Sequence, residues 1–298
     1  MAGIQPDREV IMLTVTAPAK VNLTLEVLGK RGDGFHEIRS VIQAISLCDR
    51  LSFKQADNLV FNCARSGLRA QESLIPRAAS LLKATSGYTR GAVIDVTKRI
   101  PLLSGLGGDS SDAAAVLRGL NRLWGLALPP GELARLASKL GSDVTFFLSG
   151  GTALAQGWGE FVSPLPQLPH SWMVLLVPVV RLANKTERLY ASIEESHYTP
   201  GEATDELVGR LTRGEQVAPG SLFNVFEAVA YGIFDGLDEC RSQFLQAGAA
   251  SVHLAGSGPT LFTLAKNQAE AEKIHGNLQK QGLECYLAET LEAALPFK

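Results

Sequence analysis

Residues 101–115 read PLLSGLGGDSSDAAA. Three glycines, Gly105, Gly107 and Gly108, run straight into Asp109, Ser110, Ser111 and Asp112, and good helix formers follow. Glycine lets the backbone approach a ligand closely and adopt positive φ. Ser and Asp are the residue types that cap helices. From Ala113 onward, Ala113, Val116, Leu117, Leu120 and Trp124 keep helical spacing, so a helix is expected to begin here. A glycine loop feeding a helix N-terminus offers free N–H groups and the positive end of a dipole, which suits a phosphate. An ordinary glycine turn capping a helix fits the three glycines alone equally well; the leading Pro101 and the adjoining Ser-Ser-Asp favour the phosphate.

The stretch excludes the two commonest phosphate loops. No lysine follows the glycines as a Walker A loop requires, and the spacing of Gly105 and Gly107 lacks the third glycine of the dinucleotide fingerprint.

The chain has 298 residues, enough for one large domain or two of ordinary size. With 46% hydrophobic and 19% charged residues it reads as globular rather than disordered. A net charge of -2 carries no basic excess, which argues against a nucleic-acid partner. No apolar run approaches the roughly 20 residues of a membrane span, so no membrane partner is expected. Cys48, Cys63, Cys240 and Cys285 form no CxxC pair and the histidines show no HxxxH spacing, so neither a zinc site nor a disulfide framework is indicated. A reducing, cytoplasmic setting fits. Met12 is also placed to be a start, which would make the first eleven residues an extension.

Val21, Leu23, Leu25 and Val27 alternate with Asn22, Thr24 and Glu26, the pattern of a half-buried strand. After a turn at 30–34, strands are expected at 38–47 and 51–53, a helix at 74–84, a strand at 92–96 and an amphipathic helix at 130–140. Glycine and proline cluster from Gly150 to Pro166, a candidate boundary. Beyond it come a strand at 172–177, a polar region of loop and short helix at about 196–219, and a strand–turn–strand at 251–264 around Gly256-Ser257-Gly258-Pro259. A plain hairpin turn explains that last element as well as a ligand loop does. Strands and helices mixed without a regular βαβ rhythm indicate an α+β fold class.

Three segments together resemble a family. PLLSGLGGDSS resembles the central motif of the GHMP small-molecule kinases, APAKVN at 17–22 their N-terminal motif, and LAGSGP at 254–259 their C-terminal motif. Further details, the run APAKVNLTLEVLGKRGDGFHEI at 17–38, GLGGDSSDAAAVL, NRLWGL and GSDVTFFLSGGTALAQGWGE at 141–160, resemble the branch of the family that acts on a cytidine diphosphate-linked methylerythritol. The resemblance implies a two-domain architecture. A ribosomal S5-like, ATP-binding domain is expected at 1–155. A ferredoxin-like domain completing the substrate cleft is expected at 156–298. It implies ATP as phosphoryl donor with Mg2+, and transfer to the 2-hydroxyl of that substrate in the non-mevalonate route to isoprenoid precursors. A monomer and a homodimer both stay open.

Residue by residue, Asp143 matches the family's general base and Lys20 its lysine partner, which orients the acceptor hydroxyl and stabilises developing charge. Pro101, Gly105, Leu106, Gly107, Gly108, Asp109, Ser110 and Ser111 match the ATP phosphate loop. No metal ligand set is assigned; Ser111 is the candidate Mg2+ contact. Asn22, Phe35, His36, Gly256, Ser257 and Gly258 match substrate-binding positions, with Phe35 and His36 at the cytosine. Tyr190 is either a second stacking ring or an ordinary amphipathic-helix residue. The adenine pocket is expected near the loop 59–74, without a motif to mark it. Asp109 stands where a third loop glycine is usual, and either caps a helix or helps hold magnesium. Phe35 replaces a commoner tyrosine, and Thr145 a commoner proline. Two alternatives remain. A homoserine or mevalonate kinase of the family would leave the Asp33-Gly34-Phe35-His36 turn without a base to hold, and a non-catalytic ligand-binding relative would leave Lys20 and Asp143 idle.

Overall fold

The structure is a computed structural model that describes residues 12–63, 73–180, 182–217 and 219–292. The first eleven residues, and 64–72 of the expected adenine loop, lie outside the described residues. In chain order the first half forms β1 (Met12–Lys30), β2 (His36–Ala56), β3 (Val60–Cys63), α1 (Leu74–Ser86), β4 (Gly91–Thr97), α2 (Gly108–Leu123), α3 (Pro130–Ser138) and α4 (Ser142–Ser149). Then come β5 (Thr152–Gly157), β6 (Phe161–Pro164), β7 (Trp172–Leu176), α5 (Lys185–Ala191), α6 (Glu202–Thr212) and β8 (Phe223–Asn224). The chain closes with α7 (Glu227–Ile233), α8 (Leu237–Gln246), β9 (His253–Leu254), β10 (Leu261–Ala265), α9 (Gln268–Lys280) and β11 (Cys285–Glu289).

Two sheets organise these elements. The larger has seven strands, in the order β3-β4-β2-β1-β8 with β5 and β6 extending from β2; α1 to α4 pack on it around a core that includes Phe53, Leu82, Val116 and Phe146. The smaller is an antiparallel sheet in the order β11-β7-β10-β9. The division expected at 155/156 falls inside β5. The sheets change over between β6 and β7, and β8 returns from the second half to pair in parallel with β1.

Several local expectations are corrected. The two strands expected at 38–47 and 51–53 are one continuous β2, with a register shift opposite Pro18/Ala19 where Ser46 accepts a hydrogen bond from Glu289 N (3.0 Å) on β11. β1 is buried on both faces rather than half-buried. Thr24 and Glu26 are covered by α6 and the turn before it, through Thr204 N to Glu26 Oε2 (2.8 Å), Thr199 Oγ1 to Glu26 Oε1 (2.8 Å) and Thr204 Oγ1 to Thr24 Oγ1 (2.9 Å). The polar members of the alternation therefore face protein, and each burial is matched by a hydrogen bond. Helix α2 starts at Gly108, five residues before the apolar periodicity. Gly107 at φ 72 sets the helix start with no side-chain cap, so the Ser/Asp cluster forms the first turn instead of capping it. Asp143 lies in the first turn of α4, a helix the sequence pattern did not separate from the loop after α3.

Candidate active site

The glycine loop is held by backbone contacts on both sides. Lys20 N donates to Leu106 O (3.0 Å), joining β1 to the loop, and Thr260 N donates to Ser104 O (3.2 Å) from the other sheet. Ser104 Oγ donates to Pro101 O (2.8 Å), which closes the turn before the glycines. Gly105 has φ 89, and a Cβ there would stand 2.4 Å from Ala255 O and 2.7 Å from Gly258 O, so only glycine fits between the two loops. Gly107 is equally enclosed, by the Phe147 ring at 2.9 Å and Lys20 Cγ at 3.1 Å from the position of a Cβ.

Facing it, the turn between β9 and β10 is fixed by buried Asn224, whose Nδ2 donates to Leu254 O (2.8 Å) and Gly256 O (2.9 Å). A Cβ at Gly256 would meet Asn22 Oδ1 and Lys20 Nζ, both at 3.1 Å. Two glycine turns from opposite halves of the chain thus converge on β1, and they expose backbone where side chains would fill the space.

Lys20 stands at that convergence. Its ammonium lies 3.4 Å from Asp143 Oδ2 and donates to Asn22 Oδ1 (2.8 Å); Asn22 Nδ2 in turn donates to Ser40 Oγ (2.7 Å), and Ser40 Oγ to Thr24 O (2.6 Å). Lys20 is buried while Asp143 is partly open to the cleft. One cavity of about 330 Å³ brings together Lys20, Asn22, Ser110, Asp143, Gly256 and Ser257.

A second cavity of about 580 Å³ continues from it, sharing Trp158, Thr186 and Tyr190, and is walled by Phe35 and His36. His36 stacks on Tyr190 (centroids 5.0 Å apart, 19° between planes), and Tyr190 packs edge-on against Phe226 at 4.9 Å. Phe35, 56% exposed, leans on Trp158 at 5.5 Å. Burial, reinforced by Lys30, pulls the His36 imidazole below its ordinary value, which favours the neutral ring with one donor and one acceptor nitrogen. Burial, with Asp143 adding to it, pushes the Tyr190 hydroxyl up to about 12.

Behind the glycine loop lies a buried cluster that the sequence reading missed. Lys98 Nζ is paired with Asp49 and, at 2.7 Å, with Asp112 Oδ2, and Asp49 Oδ1 also accepts from Arg99 N (2.5 Å) and Ile100 N (2.8 Å). Burial pushes the Asp112 carboxyl up to about 8 against the pull of Lys98, because one ammonium cannot support two buried carboxylates. Asp109, the departure in the loop, turns away from the glycines: it accepts from Ser73 Oγ (2.8 Å) and Leu74 N (3.0 Å), so its carboxylate serves the N-terminus of α1. Both oxygens are engaged, and the side chain is a brace between α2 and α1.

The residues present fit a polyphosphate. The first N–H groups of α2 have no intrahelical acceptor by helix geometry, and Gly107 offers no side chain to cap them. Buried Ser111 Oγ has no hydrogen-bond partner among the described residues. Glycine backbone, free N–H groups, an unpaired hydroxyl and an adjacent lysine make a site for a phosphate chain rather than for a base or a sugar.

Comparison with known proteins gives the family. The profile of the GHMP kinases N terminal domain matches residues 73–151, and that of the GHMP kinases C terminal domain matches 204–283. The chain belongs to the GHMP kinases. This kinase is 50% identical over 281 residues to 4-diphosphocytidyl-2-C-methyl-D-erythritol kinase of Dehalococcoides mccartyi (strain ATCC BAA-2266 / KCTC 15142 / 195), covering 94% of this chain and 99% of the relative. It resembles the crystal structure of a 4-(cytidine 5'-diphospho)-2C-methyl-D-erythritol kinase with a TM-score of 0.78 and 34% identity, over 93% of this chain and 98% of that one. A homoserine kinase from Cytophaga hutchinsonii shares the fold (TM-score 0.73, 21% identity, 100% of this chain and 99% of that one). The α+β, two-part GHMP architecture expected from the motifs is therefore the observed one. Among the described residues no helix is long and apolar enough to cross a membrane.

Sequence reasoning gave no role to Trp158 at the cleft, to Lys98 behind the glycine loop or to Lys185 beside the 256–258 turn. Trp158 sits in the tight turn between β5 and β6, inside the 141–160 stretch that carries the resemblance, where nothing beyond the flanking Gly157 and Gly159 marks it as a cleft residue. Lys98 and Lys185 find their partners far away in sequence, and no spacing announces them.

Proposed function

We propose that this kinase transfers the γ-phosphoryl group of ATP to the 2-hydroxyl of 4-diphosphocytidyl-2-C-methyl-D-erythritol. The observation that carries the reading is the continuity of the cleft. A ring-walled cavity with the chemistry of a base pocket shares Trp158, Thr186 and Tyr190 with the cavity that holds the Lys20–Asp143 pair and Ser110 of the glycine loop. A substrate that carries a base at one end and a hydroxyl at the other uses both cavities, whereas homoserine or mevalonate would leave the rings without a role.

His36 and Tyr190, with Phe35 beside them, hold the cytosine by stacking and by the two nitrogens of the neutral imidazole. Asn22 and the 256–258 turn position the acceptor chain. Asp143 takes the proton of the 2-hydroxyl as its oxygen forms a bond to the γ-phosphorus, and the bond from that phosphorus to the β–γ bridging oxygen breaks to release ADP. Lys20 orients Asp143 and the hydroxyl and offsets the charge that develops on the transferred group. Residues 105–111 hold the donor phosphates through backbone N–H groups and serine hydroxyls, with Pro101 shaping the loop entry. Magnesium, when bound, supplies charge neutralisation on the phosphates, with Ser111 Oγ as its protein contact.

The test is ADP release by the wild-type chain and Asp143→Asn, on the cytidyl substrate against homoserine and mevalonate. Turnover confined to the cytidyl substrate, and reduced about 100-fold or more in the variant, is the expected outcome. Near-full activity of the variant would remove Asp143 as the base. Turnover of homoserine or mevalonate instead would overturn the substrate.

A further inference from the structure

Lys185, at the start of α5, points its ammonium at the turn between β9 and β10 and donates to Gly258 O. That carbonyl belongs to the turn pressed against Gly105, and it would lie 2.7 Å from a Cβ placed there. The next residue is fixed on the same turn through Thr186 Oγ1 and Ser257 Oγ (2.9 Å), and Thr186 lines both cavities. The Lys185 ammonium thus stands at the seam where the two glycine turns meet, near enough to Lys20 to feel its charge.

Its surroundings do not supply what a lysine there needs. Lys20 is paired with Asp143, and Lys98 with Asp49 and Asp112, but Lys185 has no carboxylate within ion-pair distance among the described residues. One backbone carbonyl is a poor counterpart for a partly buried ammonium with three donors. Burial, and then the charge of Lys20, pull it down to about 7 from an ordinary 10.5. A methionine would fill this space without that cost. The arrangement is economical only if an anion arrives between the two lysines.

We propose that Lys185 is a phosphate-contacting residue of this cleft, its ammonium passing from Gly258 O to a phosphate oxygen of the bound ligand. The proposal rests on reading the cleft as a phosphoryl-transfer site. The anion has two sources, the γ-phosphate of the donor and the diphosphate of the acceptor, and they share one chemistry: a phosphate oxygen beside the glycine turns. On either source Lys185 supplies the positive charge that Lys20, already matched by Asp143, does not supply alone.

The experiment measures the affinity of wild type, Lys185→Met and Lys185→Arg for ADP, for a non-hydrolysable ATP analogue and for CDP, together with each variant's melting temperature. Lys185→Met is expected to lose about tenfold to a hundredfold in affinity for at least one probe, the range of a charge-assisted hydrogen bond. Its melting temperature should be unchanged or higher, and Lys185→Arg should stay within about threefold of wild type. A loss with the ATP analogue but not with ADP puts the ammonium on the γ-phosphate; a loss with CDP puts it on the acceptor's diphosphate. Unchanged affinity for all three probes overturns the proposal. So does a loss across all three with a lowered melting temperature that arginine does not restore, because that pattern marks a strut under the Gly258 turn. These measurements need no turnover. Wild-type turnover of the cytidyl substrate with unaffected binding in Lys185→Met would sink Lys185 and keep the reaction. Lost affinity without turnover by the wild type would do the reverse.

Discussion

The two ends of the cleft are built from different materials. At the phosphate end the ligand-facing surface is backbone: a Cβ at Gly105 would overlap the 255–258 turn, one at Gly107 would press on the Phe147 ring, and one at Gly256 would crowd Lys20 and Asn22. At the base end the surface is rings, with Phe35 and Trp158 exposed and His36 and Tyr190 partly so. The first arrangement fixes N–H groups in advance and tolerates no change. The second depends on the area and orientation of aromatic faces, which a similar ring can replace. The difference matches what each end has to recognise. A phosphate chain is the same in every donor nucleotide, while the base is what distinguishes this acceptor from smaller alcohols.

The largest effect is therefore expected where backbone meets backbone. Gly105→Ala places a Cβ 2.4 Å from Ala255 O at a φ of 89, so the 255–258 turn must move off the glycine loop. Since that turn also stands against Lys20 and Asn22, kcat/KM should fall by roughly 100-fold, about 2.7 kcal/mol of transition-state stabilisation. Gly131→Ala in α3 is the matched control. A Cβ there meets nothing within 4 Å, and the variant should keep full activity. Steady-state kinetics on the two variants checks this. Equal behaviour would mean that the glycine contacts at the phosphate end carry no special constraint.

At the base end the effect should be smaller and confined to one substrate. Tyr190→Ala removes the face stacked on His36 at 5.0 Å and the edge against Phe226 at 4.9 Å. Base–aromatic stacking contributes about 1–3 kcal/mol, so KM for the cytidyl substrate should rise about 10-fold to 100-fold while KM for ATP stays put. Tyr190→Phe keeps the ring and should change either constant by less than about threefold. A rise in KM for ATP in Tyr190→Ala would show that the two ends are not separable.

The same contrast explains what was legible in the sequence. Glycine loops are local: Gly105 to Ser111 and Gly256 to Gly258 carry their meaning in consecutive residues, and the fold brings both to Lys20 as the motifs implied. Long-range pairings leave no such trace. Asp49 lies in β2, Lys98 just past β4 and Asp112 in α2, and nothing in their spacing says that they share a buried charge. Asp109 reads as a loop carboxylate until Ser73 and Leu74 are seen to hold it. The alternation in β1 marks one apolar face correctly but says nothing of what covers the other. Thr24 and Glu26 are polar and still buried because α6 and its preceding turn supply their partners. The start of α2 was misplaced for a related reason. Apolar periodicity reports where a helix packs, while a positive φ at Gly107 decides where it begins.

The smallest expected effect tests the buried charge beneath the phosphate end. In the folded chain the Asp112 carboxyl is pushed up to about 8 from an ordinary 3.8, first by burial, with Asp49 adding to it and Lys98 opposing. A raised pKa means that the folded state holds the proton more tightly than the unfolded state. The stability this group contributes is whole below the ordinary carboxylate range and drains away as pH climbs towards about 8. Lys98 is shifted upward as well: burial opposes its charge, but Asp112 and Asp49 outweigh it, so its contribution is lost only above the usual lysine range and leaves this window to Asp112. Asp112→Asn cannot titrate, and it leaves Lys98 with a single carboxylate, Asp49. Between pH 6 and pH 8.5 its melting temperature should therefore fall less than that of wild type, by a few degrees. Parallel curves for the two proteins would mean that Asp112 is ionised throughout this range. The phosphate end would then rest on a net negative cluster, and the glycine loop would have to overcome that charge, as well as its own rigidity, each time an anion binds.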